Sequence, residues 1–322
     1  MATQIGTGVL VHQVQNKQTT YIQRSIYFYK AKLEEKDASG ASISFSAHQF
    51  GKRLVSIAAG ADSYHRYENG DRQTVWVEET PTHDWEVTFG KSRRSALPHV
   101  EENRQKKPLA LSGDEGLLEQ IHVIIFNDGI VGAEYNMYAP RLHSLSEYVQ
   151  AKDPNGHNVL FVPLLSTDTL KRLNDLTEVK WFKFGFGEKA SSNLIDSPLA
   201  PLNTAFRDLL SGHEAPSYEV LIRAPKYSRQ SMLRSVAGRV LDLFADSRVM
   251  ATAETAKLEG YSDRTHHREF FDLLRDQIMV KRKVVRQNGD YKAIDSSDMF
   301  QKIREARKDL DDPLKDAAAA IP

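Results

Sequence analysis

Two stretches of this 322-residue chain gather positive charge with no acid among them. Arg223 to Arg239 (RAPKYSRQSMLRSVAGR) carries Arg223, Lys226, Arg229, Arg234 and Arg239, and Gln277 to Gly289 (QIMVKRKVVRQNG) carries Lys281, Arg282, Lys283 and Arg286. Such groups neutralise phosphates, release counterions and fix a protein on a nucleic-acid backbone, so the chemistry they suggest is binding rather than bond breaking. In the second run, alternation predicts a hairpin from Met279 to Ile294 turning at Asn288-Gly289. Lys281 and Lys283 then share one face, and Arg282 and Arg286 share the other. In the first run a helix is expected from Ser228, and its early N–H groups beside Arg223, Lys226 and Arg229 suit a phosphate. Arg229, Arg234 and Arg239 fan around that helix rather than lining it. The competing reading is two solvated faces balanced by acids such as Asp242 and Asp263. Lys91 to Lys107 is also basic, but it includes Glu101 and Glu102 and reads as an exposed loop.

A second chemistry has a weaker pattern. Asp175 with Glu178-Val179-Lys180 has the carboxylate and ExK spacing of metal-dependent nucleases, in which acids hold Mg²⁺ and lysine orients water. The alternative is a charged entrance to the strand bearing Trp181 and Phe182. Among the eleven histidines only His266-His267 are adjacent, and neighbours on a helix point about 100° apart, so no metal site is expected of them. There is no GxxxxGK[ST], no GxGxxG after a strand, no GxSxG and no HExxH. No cofactor is expected. The absence of cysteine excludes disulfides, thiol catalysis, thiolate metal sites and iron-sulfur clusters.

The chain is 40% hydrophobic and 27% charged, enough to bury a substantial core. Forty-three basic side chains balance forty-three acidic ones. The pI of about 7.2 shows no general basic excess, so any polyanion site must be a local patch. The start, MATQIGTGVLVHQVQNKQ, has no basic and apolar signal pattern, no stretch approaches the roughly eighteen apolar residues of a membrane span, and no long repeat is present. A cytoplasmic protein without membrane insertion is expected.

The elements that position these groups predict an α+β fold, with a strand-rich part over 1–150 and an α/β part over 151–322, parted at the turn residues Lys152 to Gly156. Ser25 to Tyr29, Ala41 to Phe45, Thr74 to Val77 and Trp85 to Phe89 have strand composition, and Glu68 to Asp71 reads as a turn. Gly90 to Gly113 reads as a long connection. Within 121–138, a buried run ending at Phe126 meets Asp128-Gly129, the signal for a two-residue type I′ turn, and returns with Val131, Ala133, Tyr135 and Met137 on one face. Ser144 with Glu147 matches a capping box for the next helix. Beyond it, Val159 to Leu165 is expected as a strand, Thr167 to Leu176 as a helix, Glu178 to Phe186 as a strand, Ser197 to Gly212 as a helix and Tyr218 to Ile222 as a strand. Arg248 to Gly260 favours a strand, Ser262-Asp263 starts a helix bearing Phe270, Phe271, Leu274 and Ile278, and Ser296 starts the last helix. Asp311 to Pro322 should fray.

The stretch IIFNDGIVGAEYNMYAPRLHSLSEYV (Ile124 to Val149), followed by the leucine-rich helix and EVKWFKFGF, resembles the corresponding region of the RexA family of lambda-type phage exclusion proteins. More broadly it is similar to DNA-binding effectors of antiphage defence such as the Kiwa component KwaB. The shared features are an apolar strand, an acidic-Gly turn, Ile130 and Gly132 in the return strand, Tyr138 to Pro140, and a short helix ending at Tyr148-Val149, over about 60 residues. The resemblance implies a mixed α/β homodimer that binds duplex DNA with little sequence preference. It transfers no catalytic residue and matches no basic residue one to one. The resulting expectation is a nucleic-acid-binding protein of antiphage defence or abortive infection, acting on DNA in preference to RNA, with a second defence protein as a candidate partner. A Mg²⁺-dependent nuclease and a non-enzymatic sensor of a phage component stand as alternatives.

Overall fold

The strand β1 (Tyr21–Leu33) is the seam of the fold, because its two edges accept three other strands. In the computed structural model the residues described are 20–33, 43–60, 63–66, 70–154, 156–187, 217–223, 250, 253–287 and 293–321. After β1 come helix α1 (Ala47–Ala59), β2 (His65–Arg66), β3 (Arg72–Glu79), β4 (Trp85–Arg93), and an arm of two short strands, β5 (His99–Glu102) and β6 (Gln105–Pro108). Then follow β7 (Leu117–Ile125), β8 (Ile130–Tyr135), α2 (His143–Lys152), β9 (Val159–Pro163) and α3 (Thr167–Asn174). The chain continues through β10 (Glu178–Gly187), β11 (Ser217–Arg223), β12 (Ala253–Ser262), β13 (His267–Asp272) and β14 (Met279–Val285), and ends in α4 (Ser296–Asp309) and α5 (Asp311–Ala319). The α+β class read from the sequence is the class observed.

Eight strands form one sheet in the order β14-β1-β8-β7-β4-β3-β2, with β9 also on β1. β8 pairs along one edge of β1, while the other edge is shared end to end: β14 takes Tyr21 to Tyr27 and β9 takes Tyr29 to Leu33. At the junction the Phe28 N–H donates to the Ile278 carbonyl (3.2 Å), and the Leu164 N–H donates to the Phe28 carbonyl (3.0 Å). β9, β14 and both C-terminal helices therefore return to the sheet that the first half of the chain builds.

Each face of this sheet has its own core. Phe50 and Leu54 of α1 and Leu145, Tyr148 and Val149 of α2 pack on Trp85, Phe89 and Val123. On the opposite face Met299, Ile303, Leu314 and Ala317 of α4 and α5 pack on Ile26, Phe28 and Ile124. α1 lies directly on an indole: a Cβ at Gly51 would fall 2.0 Å from Trp85, so only glycine permits the approach. A third core holds the small antiparallel sheet β11-β10-β12-β13, where Val179, Phe182, Leu258 and Phe271 meet Leu173 of α3.

Several expectations are corrected. Of the expected strand Ala41 to Phe45, Ile43 to Phe45 are in no strand among the described residues and lead into α1, whose Ser46 cap accepts the Gln49 N–H at 3.3 Å. Gly90 to Gly113 is no plain loop, since β4 runs on to Arg93 and the β5/β6 arm follows. At Asp128-Gly129 only Gly129 has positive φ (78°), and the Gly129 N–H donates to the Phe126 carbonyl. The connection is thus a three-residue loop ending in a left-handed glycine, not a type I′ turn. Ser144 caps nothing: α2 begins at His143 after Leu142 with no side-chain cap, and the Ser144 and Leu145 N–H groups donate to Arg141 and Leu142 carbonyls.

The stretch with Phe270 and Phe271 is a strand, not a helix, because β13 pairs with β12 and sends Phe271 to the core and Phe270 to solvent. Asp311 to Ala319 does not fray, since Leu314 and Ala317 are buried. The expected helices over 197–212 and from Ser228 lie outside the described residues, as does the turn at Asn288-Gly289. The hairpin expected over 279–294 is corrected: Met279–Val285 is β14, an antiparallel partner of β1, and beyond it the described residues join by the isolated Arg286–Ile294 bridge, with the Gln287 N–H donating to Ala293 and the Asp295 N–H to Val285.

Candidate nucleic-acid interface

Lys281 and Lys283 are exposed on β14 and point to the same side of the large sheet. Their register partners on β1 are Ser25 and Gln23, and Ser25 is in turn opposite Tyr135 of β8. Directly paired residues in an antiparallel ladder share a face. One row across three strands therefore reads Lys281, Ser25, Tyr135, and the next reads Met279, Tyr27, Ala133. Further along β1 the same face carries Tyr29 and Ala31 into the core beneath α1 and α2, whereas at this end Tyr135, Lys281 and Lys283 are exposed.

Arg282 and Arg286 are on the opposite face, as alternation predicts. Arg282 is committed to Asp309 of α4, Nη2 to Oδ2 at 2.5 Å. Arg286 is half-buried beside the bridge to Ile294, and its Nε has no hydrogen-bond partner among the described residues. Arg223 is exposed at the end of β11, an edge strand of the small sheet, opposite Trp181. Lys226, Arg229, Arg234 and Arg239 lie outside the described residues. Of the nine cations in the two runs, the structure brings Lys281 and Lys283 together on one exposed face.

Four groups that sequence reasoning did not single out complete that face. The rings of Tyr27 and Tyr135 are 5.7 Å apart and tilted by 56°, and the Arg141 guanidinium lies 4.4 Å over the Tyr135 ring. Arg141 comes from the Pro-Arg step between β8 and α2. Arg275, in the connection from β13 to β14, is largely exposed, with its Nε 3.5 Å from Asp272. Alternation along the return strand was the available signal for Tyr135, but nothing local says that the end of this strand is uncovered.

Between the sheet face and the small sheet opens a cleft of about 530 Å³. Its floor is Tyr27, Tyr29, Ala133 and Tyr135; one wall is Pro140 to His143, and the other is formed by Met250, Ala253, Glu254 and the Leu274 to Gln277 segment. Burial raises the pKa of both Tyr27 and Tyr29, with a neighbouring phenol adding to the effect, so both remain neutral donors at neutral pH. Burial, and then the Arg141 charge, push His143 down to about 4. The cleft therefore combines neutral polar edges with the guanidinium groups of Arg141 and Arg275.

The nuclease geometry is not assembled. Asp175 pairs with Arg264, and Glu178 Oε2 is 3.0 Å from Lys180 Nζ on the same face of β10. Among the described residues no group of three or more acid or histidine side chains is placed to hold a metal ion. His266 sits in the β12–β13 turn at φ 55° and His267 at the start of β13, so the pair is not helical. In the third basic stretch, Lys91 pairs with Asp71 (3.1 Å), Arg93 with Glu119 (3.2 Å) and Lys107 with Glu102.

A buried polar network has the residue types of a nucleophilic triad. The Glu134 carboxylate accepts from His122 Nδ1 at 2.7 Å, and His122 Nε2 is 2.9 Å from Ser296 Oγ at the start of α4. Three features make it structural. His122 and Glu134 are closed off from solvent, with Phe300 edge-on to the imidazole at 5.1 Å. Arg24 Nε stands 2.9 Å from Glu134 Oε1 and neutralises the acid, though its N–H is not aligned as a hydrogen bond. Asp295 and Asp298 flank Ser296, Asp295 accepting from the Asp298 N–H at 2.9 Å, so an oxyanion forming there would meet carboxylates rather than free donors. The network pins α4 to the sheet.

No protein-family model matches the chain, and no curated protein matches it. Among the described residues no helix is long and apolar enough to cross a membrane.

Proposed function

We propose that the protein binds nucleic acid through phosphate contacts made on the open end of its large sheet, as a cytoplasmic effector of antiphage defence. The observation that carries the binding reading is the placement of Lys281 and Lys283, both exposed, in the same face as Tyr27, Tyr135 and Arg141. Ammonium groups beside aromatic rings are the composition of surfaces that hold a sugar-phosphate backbone and its bases together. Arg275, exposed and 3.5 Å from Asp272, lies at the rim, and Arg223 would join only for a ligand reaching the small sheet. The defence setting, DNA in preference to RNA, a homodimer and a second defence protein come from the resemblance to phage exclusion proteins alone.

The test is a salt titration of binding. Each phosphate contact contributes a slope of about 0.9 in log affinity against log salt on duplex DNA and about 0.7 on a single strand. Replacing Lys281 and Lys283 together by Gln should weaken binding and reduce the slope by about 1.8 or about 1.4 respectively. Arg282→Gln, on the opposite face, should leave the slope unchanged. Equal slopes for the Lys281/Lys283 variant and the wild type would remove this face from the reading.

A further inference from the structure

We infer that the cleft beside Tyr135 receives one unpaired base of a single-stranded nucleic acid, with the neighbouring phosphates lying along Lys281 and Lys283. This rests on the phosphate-binding reading above and makes it more specific, since the resemblance by itself points to duplex DNA.

Shape gives the first argument. A volume of about 530 Å³ is within the range of sites that enclose a small molecule, and is of a size for one nucleotide. A base in a duplex is stacked between neighbours and must be taken out of the helix before it can enter such a space. A single strand offers its bases at no such cost.

The lining gives the second. Bases stack on aromatic rings and on guanidinium planes, and both kinds of surface meet at Tyr135, whose ring is 5.7 Å from that of Tyr27 and 4.4 Å from the Arg141 guanidinium. Tyr135 is 42% exposed, so much of its ring is available at the mouth. Arg141 is exposed and has no carboxylate partner among the described residues, which leaves its charge for a ligand. Hydrogen-bonding groups that carry no charge at neutral pH, the Tyr27 phenol, the His143 imidazole and the Gln277 amide, line the interior where a base edge would sit.

Charge gives the third. Two acids line the cleft, but the Glu134 carboxylate is turned to Arg24 and His122, and Arg275 is matched by Asp272 at 3.5 Å, which leaves Glu254 facing the Arg141 charge, with Lys281 and Lys283 beyond the mouth. Lys281 and Tyr135 occupy one row two strands apart, about 10 Å across the sheet. A base in the cleft therefore leaves its strand directed over the lysines.

Fluorescence anisotropy with three labelled probes of equal length tests this: a single-stranded DNA, the duplex of the same sequence, and an abasic single strand that keeps every phosphate but has no bases. The wild-type protein should bind the ordinary strand at least about tenfold more tightly than either other probe, the ratio expected when one base stacks on an aromatic side chain. Tyr135→Ala should lower affinity for the ordinary strand by a similar factor without altering that for the abasic strand, and Tyr135→Phe should restore it. Equal affinity for ordinary and abasic strands, or a duplex bound as tightly as the strand, overturns the base-binding inference. If in that case the Lys281/Lys283 variant still loses salt dependence, the phosphate reading survives. Failure of the wild type to bind any probe removes both.

Discussion

Glu134 joins the large sheet to α4 through His122 and Ser296, and its removal has a calculable cost. Its side chain is fully buried, one oxygen 2.9 Å from Arg24 and the other accepting from His122 at 2.7 Å. His122 is itself buried and leads on to Ser296. Glu134→Ala strands the His122 donor in a site closed to water and takes the counter-charge from Arg24, whose side chain is 23% exposed. Breaking a fully buried charge pair from one side costs about 3–5 kcal/mol, and the partial exposure of Arg24 places this case at the low end, about 3 kcal/mol, still a large fraction of the roughly 5–15 kcal/mol that holds a typical domain folded. Glu134→Gln keeps the shape and one acceptor, and should cost less, about 1–3 kcal/mol. Removing both charges as Arg24→Met with Glu134→Leu should recover much of the loss, because an apolar pair leaves no stranded ion. Equilibrium urea unfolding followed by circular dichroism measures all three. The reasoning fails if Glu134→Ala lies within about 0.5 kcal/mol of wild type, or if the double variant is no more stable than Glu134→Ala.

Two further outcomes follow from the same packing. His143 has its pKa lowered to about 4 in the folded protein against 6.5 when unfolded, so its contribution is fully present above pH 6.5 and is lost as the pH falls toward 4. The difference amounts to about 3 kcal/mol, and unfolding curves at pH 7.5 and 4.5 should converge for His143→Phe relative to wild type; an unchanged pH dependence in that variant contradicts the burial argument. Leu314→Ala should destabilise by about 2–5 kcal/mol in urea, since α5 is packed through Leu314 rather than frayed, and a loss below about 0.5 kcal/mol would mean the helix contributes nothing.

The parts of the fold that could be read from the sequence are those where local pattern and tertiary burial agree. The hairpin over 121–138 is an example: its apolar run is buried on both faces, and Gly129 marks the turn. The alternation that separates Lys281 and Lys283 from Arg282 is another, because a strand repeats every two residues whatever it pairs with. Where tertiary contacts override spacing, the reading failed. Phe270, Phe271, Leu274 and Ile278 have helical spacing, yet pairing with β12 makes that segment a strand. No element is expected from the sequence where α1 forms, and nothing local to Gly51 tells that its missing side chain is what lets the helix rest on Trp85. The cleft was not legible because its floor joins Tyr27 to Tyr135 across two strands, its wall is a Pro-Arg step with no regular pattern, and its far side comes from a different sheet. The cations that stood out did so by density along the chain, which does not reveal that Arg282 is paired with Asp309.

The most direct test of the account is photochemical cross-linking of the wild-type protein to a single-stranded DNA, with the adducts mapped to residues by mass spectrometry. The account predicts adducts concentrated on the peptides that carry Tyr27, Tyr135 and Lys281 to Lys283. Adducts confined to the β5/β6 arm or to the Arg223 edge of the small sheet, with the tyrosine face unmodified, would contradict it.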